Sequence, residues 1–568
     1  MDIEKGIKGL LKEAIEKSGD FSALEEMPFI TLARPKLKEF GDFSSNIALV
    51  IARKIDRPSL EIARRIQEVL QRELNRSTLL REIDRIEVAG PGFLNFFLSR
   101  SHLYEVLLEI RKKKKNFGRL NLGKGKKVHI EFVSANPTGP LNVAHARQAA
   151  FGDTLANLLQ FSGYRVFREY YLNDEGVQID TLGASVYAKY LELLGIPAEF
   201  PVSGYRGKYI DGLARELAQK YGRKFVKAGG KKLSFFSRFA SDRIVREIKE
   251  ELKAFGVNYN RWFSQKRLDK TGKITKALKL LRKKGFLYQK EGAWWLATSK
   301  FGDDKDRVAI KSDLKLTYIA PDIAYHQTKY KRGFAEMLNV WGPDHHGYIP
   351  RLKAAISALG YDAQCLTVLI VQLVSLSFAD KVIPMSTRLG QFVSLRDIIQ
   401  AVGKDAARFF FLMRKRDSHL HFDLELAKKQ SLENPVYYIQ YAHARISNIL
   451  KFAKTAHITR GDRVPNVGGG RPRNLDLSLL NKPQELSLIQ TLRKFSAVVE
   501  SCALNLEPHR ITTYLQDLAK DLHHYYEKHK VVTEEPALTQ ARLVLVDAAR
   551  VVLDNGLRLL SVSAPEKM

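Results

Sequence analysis

The chain has 568 residues, of which 45% are apolar and 27% charged, which is ordinary for a globular protein with large cores. Its net charge of +31, from 93 Lys and Arg against 62 Asp and Glu, is not ordinary. Such an excess favours a polyanionic partner such as nucleic acid, with a merely basic or thermophile-like surface as the alternative. The most apolar stretch, 365–379, is interrupted by Gln and Ser and is too short to span a bilayer, so we expect no membrane association and a cytoplasmic chain.

The two cysteines, Cys365 and Cys502, lie far apart in apolar stretches. We expect them to be buried thiols in a reducing compartment, and two cysteines exclude a cysteine-based zinc ribbon. The chemistry therefore has to be sought in other residue types.

Residues 1–118 are predicted to form a small α+β module. Hydrophobic periodicity predicts helices near 2–18 and 59–76 and a strand over Ile86–Leu98. The first helix is predicted to turn one apolar stripe to the core, made of Ile3, Ile7, Leu10, Leu11 and Ile15. A basic run, Lys112–Lys115, then leads into a segment that is typical of a linker.

Strand and helix patterns alternate over 119–400, which predicts a parallel α/β domain. It begins with a β-rich segment over 127–135, a helix over Ala146–Phe161 and a strand over Tyr164–Leu172, for which a right-handed crossover is the default. A lysine-rich, mostly helical insertion occupies about 180–300.

Residues 401–568 are predicted to form a helical bundle. The exception is a loop over Thr459–Asn474 that is rich in Gly, Pro and Arg. The predicted fold class is thus α/β, with a parallel-sheet domain between an N-terminal module and a C-terminal bundle.

Two segments carry the chemistry, the first over Glu131–Arg147 and the second over Met385–Ile398. The first is predicted to be a strand, a Pro-Thr-Gly-Pro loop and a helix start, where backbone N–H groups and the helix dipole favour phosphate. His145 lies at this helix start and is a candidate donor to a phosphoryl oxygen, with a cap or core histidine as the alternative. The second segment is a basic, hydroxyl-bearing loop able to close over the same phosphates. Together they predict an ATP-using enzyme of Rossmann type.

Further stretches follow in order along essentially the whole chain. They include SANPTGPLNVAHARQAAFGDTLANLL, REYYLNDEGVQI, NVWGPDHHGYIPRLKAA, MSTRLGQFVSLRDI and the terminal LRLLSVSAPEKM. In this order they resemble the arginyl-tRNA synthetases, a family of class I aminoacyl-tRNA synthetases.

The resemblance implies a class I catalytic domain of Rossmann type, an N-terminal module that grips the tRNA elbow and a C-terminal anticodon-binding domain. It also implies a two-step reaction, in which the arginine carboxylate attacks the α-phosphorus of ATP and the adenylate is then transferred to the tRNA 3′-terminal ribose. The implied partners are L-arginine, ATP carrying Mg²⁺ and tRNA(Arg), with no dedicated protein metal site. The family commonly needs bound tRNA for the first step. We expect a monomer.

By the same resemblance, the site residues fall into four groups. The catalytic group is Asn142, His145, Ser386, Thr387 and Arg388. The ATP-binding group is Pro137, Thr138, Gly139, Pro140, Leu141, Val143, Ala144, Asp344, His345 and Met385. The arginine-binding group is Glu131, Asn136, Gln265, Tyr318, Asp322 and His346. The tRNA-binding group is Tyr437, Tyr441 and Arg445.

Three of these assignments have simpler alternatives. Asp322 suits the guanidinium of arginine, yet an Asp just before a helix is also a common cap. Tyrosines at helical spacing, such as Tyr437 and Tyr441, suit unstacked RNA bases but are more often core residues. The doublet His345–His346 suggests a metal pair, but adjacent side chains point in different directions, so we predict no metal site.

The chain departs from the family signatures at several positions. The first signature, His-x-Gly-His, has Asn142 and Ala144 in place of its first His and its Gly. In the second signature, Pro384 and Thr387 replace two lysines. In a separate stretch, RWFSQK, Gln265 replaces an expected Glu. Asn can donate a hydrogen bond to phosphate but carries no charge. Losing one charged hydrogen bond costs about 1.5–3 kcal/mol, which predicts a slower enzyme rather than an inactive one.

Arg147 and Arg388 are the nearby candidates to compensate for the missing charge. The alternative function is a catalytically weakened paralogue that binds tRNA or regulates. A third alternative, a nucleotidyl or acyl transferase that uses arginine without tRNA, fits the C-terminal bundle poorly.

Overall fold

The computed structural model describes residues 3–21, 24, 26–33, 35, 37–73, 83–226, 233–378, 381–382, 393–455 and 475–568. The loop predicted over Thr459–Asn474 lies outside them. None of the helices in these ranges is long and apolar enough to cross a membrane. The chain divides into two compact units, one made of Met1–Lys114, Ile449–Arg493 and Asp521–Val551, the other of Lys115–Asn448, Lys494–Lys520 and Val552–Met568.

Helices and strands are numbered in chain order. The helices are α1 (Ile3–Lys17), α2 (Ile47–Ile55), α3 (Ser59–Glu73), α4 (Arg100–Lys113), α5 (Val143–Phe161), α6 (Val177–Leu193), α7 (Lys208–Tyr221), α8 (Leu233–Ala254), α9 (Gln265–Lys270), α10 (Lys273–Lys283), α11 (Ile319–Lys331), α12 (Ile349–Leu359), α13 (Leu395–Leu412), α14 (Leu424–Lys428), α15 (Pro435–Thr455), α16 (Pro483–Arg493), α17 (Phe495–Asn505), α18 (His509–Lys528) and α19 (Pro536–Leu559). The strands are β1 (Phe43–Ser45), β2 (Ile83–Ala89), β3 (Phe93–Leu98), β4 (Lys127–Glu131), β5 (Arg165–Leu172), β6 (Arg261–Ser264), β7 (Leu287–Lys290), β8 (Ala293–Leu296), β9 (Arg307–Ile310), β10 (Glu336–Trp341), β11 (Leu366–Ile370), β12 (Val374–Phe378), β13 (Lys381–Val382) and β14 (Leu420–Asp423).

The N-terminal part of the first unit is an α+β layer, as predicted. Its antiparallel sheet has the order β1-β3-β2, and α1, α2 and α3 pack their apolar residues against those of the three strands to form the core. Four residues of the predicted α1 stripe are buried and Leu10 is half-buried. The single strand predicted over Ile86–Leu98 is wrong, because the chain reverses within it and forms the β2–β3 hairpin. Gly92 closes this turn at φ 142°, with its N–H 2.9 Å from the Ala89 oxygen.

The second unit is built on a five-stranded sheet with the order β11-β10-β4-β5-β6, in which all neighbouring strands are parallel. The predicted β4–α5–β5 succession is confirmed, and α5 ends before Gly163. Parallel strands place their carboxyl ends at one edge of the sheet, so the loops after β4, β5 and β10 meet there.

Several segments of this unit differ from the prediction. The insertion is helical through α8, but β6 joins the central sheet, and β7, β8 and β9 form a separate antiparallel sheet. The linker predicted after Lys115 is packed instead, because the buried Phe117 stacks on Phe495 with ring centroids 6.1 Å apart. The predicted bundle also contains β14, which pairs in parallel with β12. Cys502 is buried as predicted, whereas Cys365 is only half-buried.

A buried arginine, Arg408 of α13, ties together several segments of the second unit. Its Nη2 lies 2.7 Å from Asp153 Oδ2, and its other nitrogens donate to the Leu560 and Phe255 carbonyls at 2.8 and 3.1 Å. Its side chain is fully buried, so every donor has to find a partner inside the protein.

Arg408→Ala is expected to destabilise the protein by about 3–5 kcal/mol, because it removes the cation nearest the buried Asp153 carboxylate and leaves Arg168, 3.5 Å from Oδ1, as the remaining one. The shift of the chemical-unfolding midpoint measures this loss. The control is Arg558→Ala, which removes the exposed ion pair with Asp554 and is expected to cost less than about 1 kcal/mol. Equal shifts for the two variants would contradict the argument.

Candidate active site

The first signature segment leaves the central sheet through a strained turn. Glu131 ends β4, and the next residues, Val133 and Ser134, adopt φ values of 67° and 41°. The Ser134 N–H donates to the Phe132 oxygen at 3.0 Å, which closes a three-residue turn. Positive φ is costly for a β-branched residue such as Val133, and strain of this kind clusters at functional sites.

Three tyrosine hydroxyls hold the backbone of this segment. Tyr259 donates to the Phe132 oxygen at 3.1 Å, Tyr170 to the Ala135 oxygen at 2.9 Å and Tyr209 to the Thr138 oxygen at 2.9 Å. Gly139 leaves room for the last of these, since a Cβ at Gly139 would lie 3.3 Å from the Tyr209 hydroxyl. The loop therefore reaches α5 in a fixed conformation.

Most residues of the predicted ATP-binding group line this loop. The side chains of Pro137, Leu141 and Val143 are buried, whereas Thr138, Gly139, Pro140 and Ala144 are half-buried. The buried members can offer a ligand only their backbone groups. Any phosphate contact in this segment therefore falls to main-chain N–H groups and to the half-buried residues.

Asn142 and His145 form a reciprocal cap at the start of α5. The Asn142 side chain accepts from the His145 N–H at 3.1 Å, and His145 Nδ1 accepts from the Asn142 N–H at 3.2 Å. Burial lowers the pKa of His145 to about 4, against the opposing effect of Asp344. At neutral pH the ring is therefore uncharged, and since Nδ1 accepts, its proton is on Nε2. His145 thus offers one neutral N–H donor, while the Asn142 oxygen is engaged in the cap.

The end of the second signature segment lies against the first. The Leu395 N–H donates to the Leu141 oxygen at 2.8 Å, and Ser394 forms an antiparallel bridge with Asn142. Ser394 caps α13 through a capping box of its own with Asp397. Two helix N-termini thus lie side by side, which concentrates positive potential. The predicted residues Met385, Ser386, Thr387 and Arg388 lie outside the described residues.

Asp344, His345 and His346 lie in a short 3₁₀ helix, Pro343–Tyr348, and are exposed. His345 Nε2 lies 3.4 Å from Asp344 Oδ2. A Cβ at Gly342 would lie 2.6 Å from Asp344 Oδ1 and 3.5 Å from Gln148 Nε2, so these groups converge beside α5. Gln148 was missed in the sequence, although its position three residues after His145 places both on one helix face.

A row of polar residues crosses the centre of the sheet. In register, Asn339, Glu131 and Glu169 lie on neighbouring strands β10, β4 and β5. One stripe of α11 covers them, because Lys329 Nζ lies 2.5 Å from Glu131 Oε2 and 2.9 Å from Asn339 Oδ1.

Glu169 is bound by Tyr325 of α11, by Arg332 at the C-cap of α11 and by His129 of β4. Tyr325 donates to this carboxylate at 2.9 Å and Arg332 at 2.6 Å, with His129 3.1 Å away. Burial alone would raise the pKa of Glu169, but the hydrogen bonds from His129 and Arg332 hold it well below its ordinary value. Glu169 is therefore a fixed anion beneath α11.

The polar row continues to Asp322 in the first turn of α11. His326 Nε2 lies 2.9 Å from Asn339 Nδ2, and His326 Nδ1 lies 2.8 Å from the Asp322 backbone oxygen. The Asp322 carboxylate accepts from the Tyr348 hydroxyl at 2.7 Å. Tyr318 occupies the cap position, so the alternative of Asp322 as a helix cap is wrong.

Asp322 is poised between its two protonation states. Burial raises its pKa to about 7, the Tyr348 hydrogen bond lowers it and the charge of Glu131 raises it. A cation placed beside it would therefore be strongly favoured. Tyr348, Lys329, His326 and Tyr171 were missed in the sequence, because only the fold brings them together.

The other predicted arginine-binding residues occupy different environments. Gln265, at the start of α9, accepts from the Tyr171 hydroxyl at 2.8 Å, and Asn136 donates to Gln178 at 2.6 Å. The charge of Asp322 acts on Tyr171, which links Gln265 to the Asp322 surroundings. Tyr318 is 68% exposed, and its backbone oxygen accepts from the Asp322 N–H at 3.4 Å.

Arg147 is the one predicted compensating residue that the structure describes, and its proposed role is wrong. Its side chain is buried and donates to the Gln372, Ser418 and Lys415 carbonyls at 2.8–2.9 Å. These hydrogen bonds are made inside the fold, so the nitrogens that make them are not available as donors to a phosphate.

The predicted tRNA-binding residues lie on one helix, α15. Tyr437 and Tyr441 are half-buried with nearly parallel rings, 6.3 Å between centroids, and Arg445 is exposed. This places two aromatic faces and a cation on one helical stripe.

Three family profiles match successive parts of the chain. Residues 5–98 match the arginyl tRNA synthetase N terminal domain, residues 105–447 the catalytic domain of class I (R) tRNA synthetases, and residues 439–568 the DALR anticodon binding domain.

Similar proteins span the chain from end to end. The arginine–tRNA ligases of Citrifermentans bemidjiense and Geobacillus thermodenitrificans are each 45% identical over 100% of this chain and 99% of their own length. A crystal structure described as a putative arginyl-tRNA synthetase from Campylobacter jejuni has 33% identity and a TM-score of 0.74 over 83% of this chain and 100% of that one.

The arginyl-tRNA synthetase of Thermus thermophilus, at 22% identity, shares the fold over 100% of both chains with a TM-score of 0.73. The profiles and the full-length identities lead to one conclusion. The chain belongs to the arginyl-tRNA synthetase family of class I aminoacyl-tRNA synthetases.

Proposed function

We infer that the protein is an arginine–tRNA ligase that couples ATP cleavage to the attachment of L-arginine to tRNA(Arg). The observation that carries this function is the 45% identity to arginine–tRNA ligases over the whole chain, through all three domains. In the first step a carboxylate oxygen of arginine bonds to the α-phosphorus, and the bond to pyrophosphate breaks. In the second step the ribose hydroxyl of tRNA displaces AMP from the adenylate. The comparisons favour this enzyme over a weakened paralogue.

We propose that the start of α5 binds the ATP phosphates. Main-chain N–H groups there, with the dipoles of α5 and α13, supply a fixed positive potential without a charged side chain. The neutral His145 supplies one N–H donor from Nε2. Asn142 acts through its cap, which holds His145, and this explains how an uncharged residue serves at a position where the family signature has His.

The remaining proposed ATP contacts come from two other segments. Asp344 and His345 lie on the 3₁₀ helix beside α5, and Met385, Ser386, Thr387 and Arg388 belong to the second signature loop. Mg²⁺ enters with ATP as part of the substrate. Catalysis then rests on alignment and on charge stabilisation at the phosphate, so no acid–base pair is required.

We propose that Asp322 binds the guanidinium of arginine. Asp322 is half-buried, its carboxylate is oriented by Tyr348, and it gains most from a cation because desolvation disfavours its charge. Glu131 is already paired with Lys329, so its charge reaches the substrate partly neutralised. Gln265, Asn136, Tyr318 and His346 are the further proposed contacts.

For tRNA we propose Tyr437, Tyr441 and Arg445, where stacked aromatic rings and a cation suit splayed bases. We propose that residues 1–118 grip the tRNA elbow, that 119–400 catalyse and that 401–568 bind the anticodon. We also propose a monomer that acts in the cytoplasm, where its three substrates occur.

Purified protein with ATP, L-arginine and tRNA(Arg) is expected to form arginyl-tRNA, measured as acid-precipitable labelled arginine. Transfer RNA has to be present throughout, because the family commonly activates arginine only when tRNA is bound. An Asn142→His variant run beside the parent tests whether the departure from the signature limits the rate. Persistent failure of the folded parent with cognate tRNA would exclude the function.

The KM for arginine is expected to rise about tenfold for each pH unit below 7, because protonation of Asp322 removes the anion that binds the guanidinium. Asp322→Asn, which keeps the shape, is expected to raise this KM about tenfold to a hundredfold at pH 8 and to abolish the dependence on pH. The matched control is Asp242→Asn on the exposed face of α8, which is expected to leave the KM unchanged. Unchanged arginine kinetics in Asp322→Asn would place the guanidinium elsewhere.

Binding of tRNA is expected to weaken steeply with salt, because the net charge of +31 is attributed to phosphate contacts. With about six phosphates neutralised, the affinity falls about a thousandfold between about 50 and 200 mM salt. Filter binding over this range gives the slope, and arginine KM values serve as a salt control. A flat response would show that the charge has another role.

A further inference from the structure

Glu251 of α8 is a buried carboxylate that lies outside the predicted site residues. It is 7% exposed, and its Oε1 lies 3.3 Å from Arg396 Nη2. Its Oε2 is buried and has no hydrogen-bond partner among the described residues. A buried carboxylate with one unsatisfied oxygen is costly and calls for a reason.

Its position supplies the reason. Its ion-pair partner Arg396 lies in the first turn of α13, and the Leu141 backbone is near enough to favour the charged carboxylate. These two residues flank the contact between the signature segments, where Leu395 donates to Leu141 and Asn142 is bridged to Ser394. Glu251 therefore connects α8 with the start of α13, at the place where that start contacts the residues before α5.

The surroundings of Glu251 make its ionisation unfavourable in the folded protein. Burial raises the pKa of Glu251 to about 7. The charge of Arg396 and the Leu141 backbone lower this pKa, whereas the charges of Glu247 and Asp397 raise it. Because the pKa is higher in the folded chain than in the unfolded one, ionising Glu251 reduces the stability of the fold as the pH rises towards 7. A neutral isostere would be better for stability alone, so a purely structural role does not account for the residue.

We propose that Glu251 is a positioning residue for ATP: its ionised carboxylate holds Arg396 beside the contact of Leu395 with Leu141, and so keeps the capped starts of α5 and α13 together. The inference rests on the proposed binding of phosphates at these helix starts. Both helix starts offer N–H groups whose usefulness depends on their spacing, and a shift of about 1 Å can weaken such a site severely.

Glu251→Gln is expected to raise the KM for ATP about three- to tenfold at pH 8 in the tRNA-charging assay, with kcat changed by less than about twofold. In the parent, the KM for ATP at saturating arginine is expected to rise as the pH falls below 7, since protonated Glu251 resembles Gln; in Glu251→Gln this dependence is lost. The exposed neighbour Glu250 gives the matched control, Glu250→Gln, with parental kinetics. The thermal midpoint of Glu251→Gln at pH 8 is expected to equal or exceed that of the parent.

The role of Arg396, the ion-pair partner of Glu251, is tested with Arg396→Gln, which alters an exposed side chain and is expected to fold. It should raise the KM for ATP as Glu251→Gln does, and the double variant should be no worse than either single one, because both remove one interaction. A parental KM and pH profile in Glu251→Gln, a lower KM, or a lowered thermal midpoint would each overturn the proposal.

His145→Ala separates this proposal from the one on which it rests. If His145→Ala raises the KM for ATP and Glu251→Gln does not, the helix starts bind ATP and Glu251 has no positioning role. If His145→Ala leaves the ATP kinetics unchanged, the ATP phosphates do not bind at the start of α5, and the role of Glu251 is overturned as well.

Discussion

The central constraint of the structure is a row of charges in the middle of a parallel sheet. Glu131 and Glu169 lie side by side on β4 and β5, and buried charges are tolerated only when they are paired and hydrogen-bonded. Most of the pairing groups come from α11 and its C-cap, namely Tyr325, Lys329 and Arg332. This requirement fixes the rotation and height of α11 on the sheet, and with them the place of Asp322. The position of Asp322, the proposed guanidinium contact, thus depends on the charge pairing beneath it.

Much of the fold follows from local pattern. The α1 stripe and the β4–α5–β5 succession repeat over enough residues for their period to be read. The strand β6, Arg261–Ser264, is too short for that, and its membership of the sheet depends on β5 beside it. Phe117 looked like part of a linker because nothing local reveals Phe495, which is distant in sequence and stacks on it.

Candidate site residues could be assigned to a loop or helix where a local sequence motif marks that element. Their contacts could not be predicted where the contacting residue lies far away in the sequence. The phosphate-type loop and the helix start at Asn142 could be placed, and so could Asp322 on α11. The contacts of a long side chain could not be predicted. Arg147 belongs to the motif, yet its guanidinium donates to four backbone carbonyls far along the chain. Lys329 and Tyr348 carry no local signal, since their importance comes only from Glu131 and Asp322.

The turn at Val133 and Ser134 sets the length of its segment as well as its shape. Tyrosine hydroxyls take up the carbonyl groups of Phe132, Ala135 and Thr138 at regular intervals of three residues. One inserted or deleted residue would shift these oxygens out of register with the tyrosine hydroxyls that donate to them. Residue types here remain free to drift, because the tyrosines contact an oxygen that every amino acid carries. Related chains should therefore align through this segment without gaps, even where few of its side chains are shared.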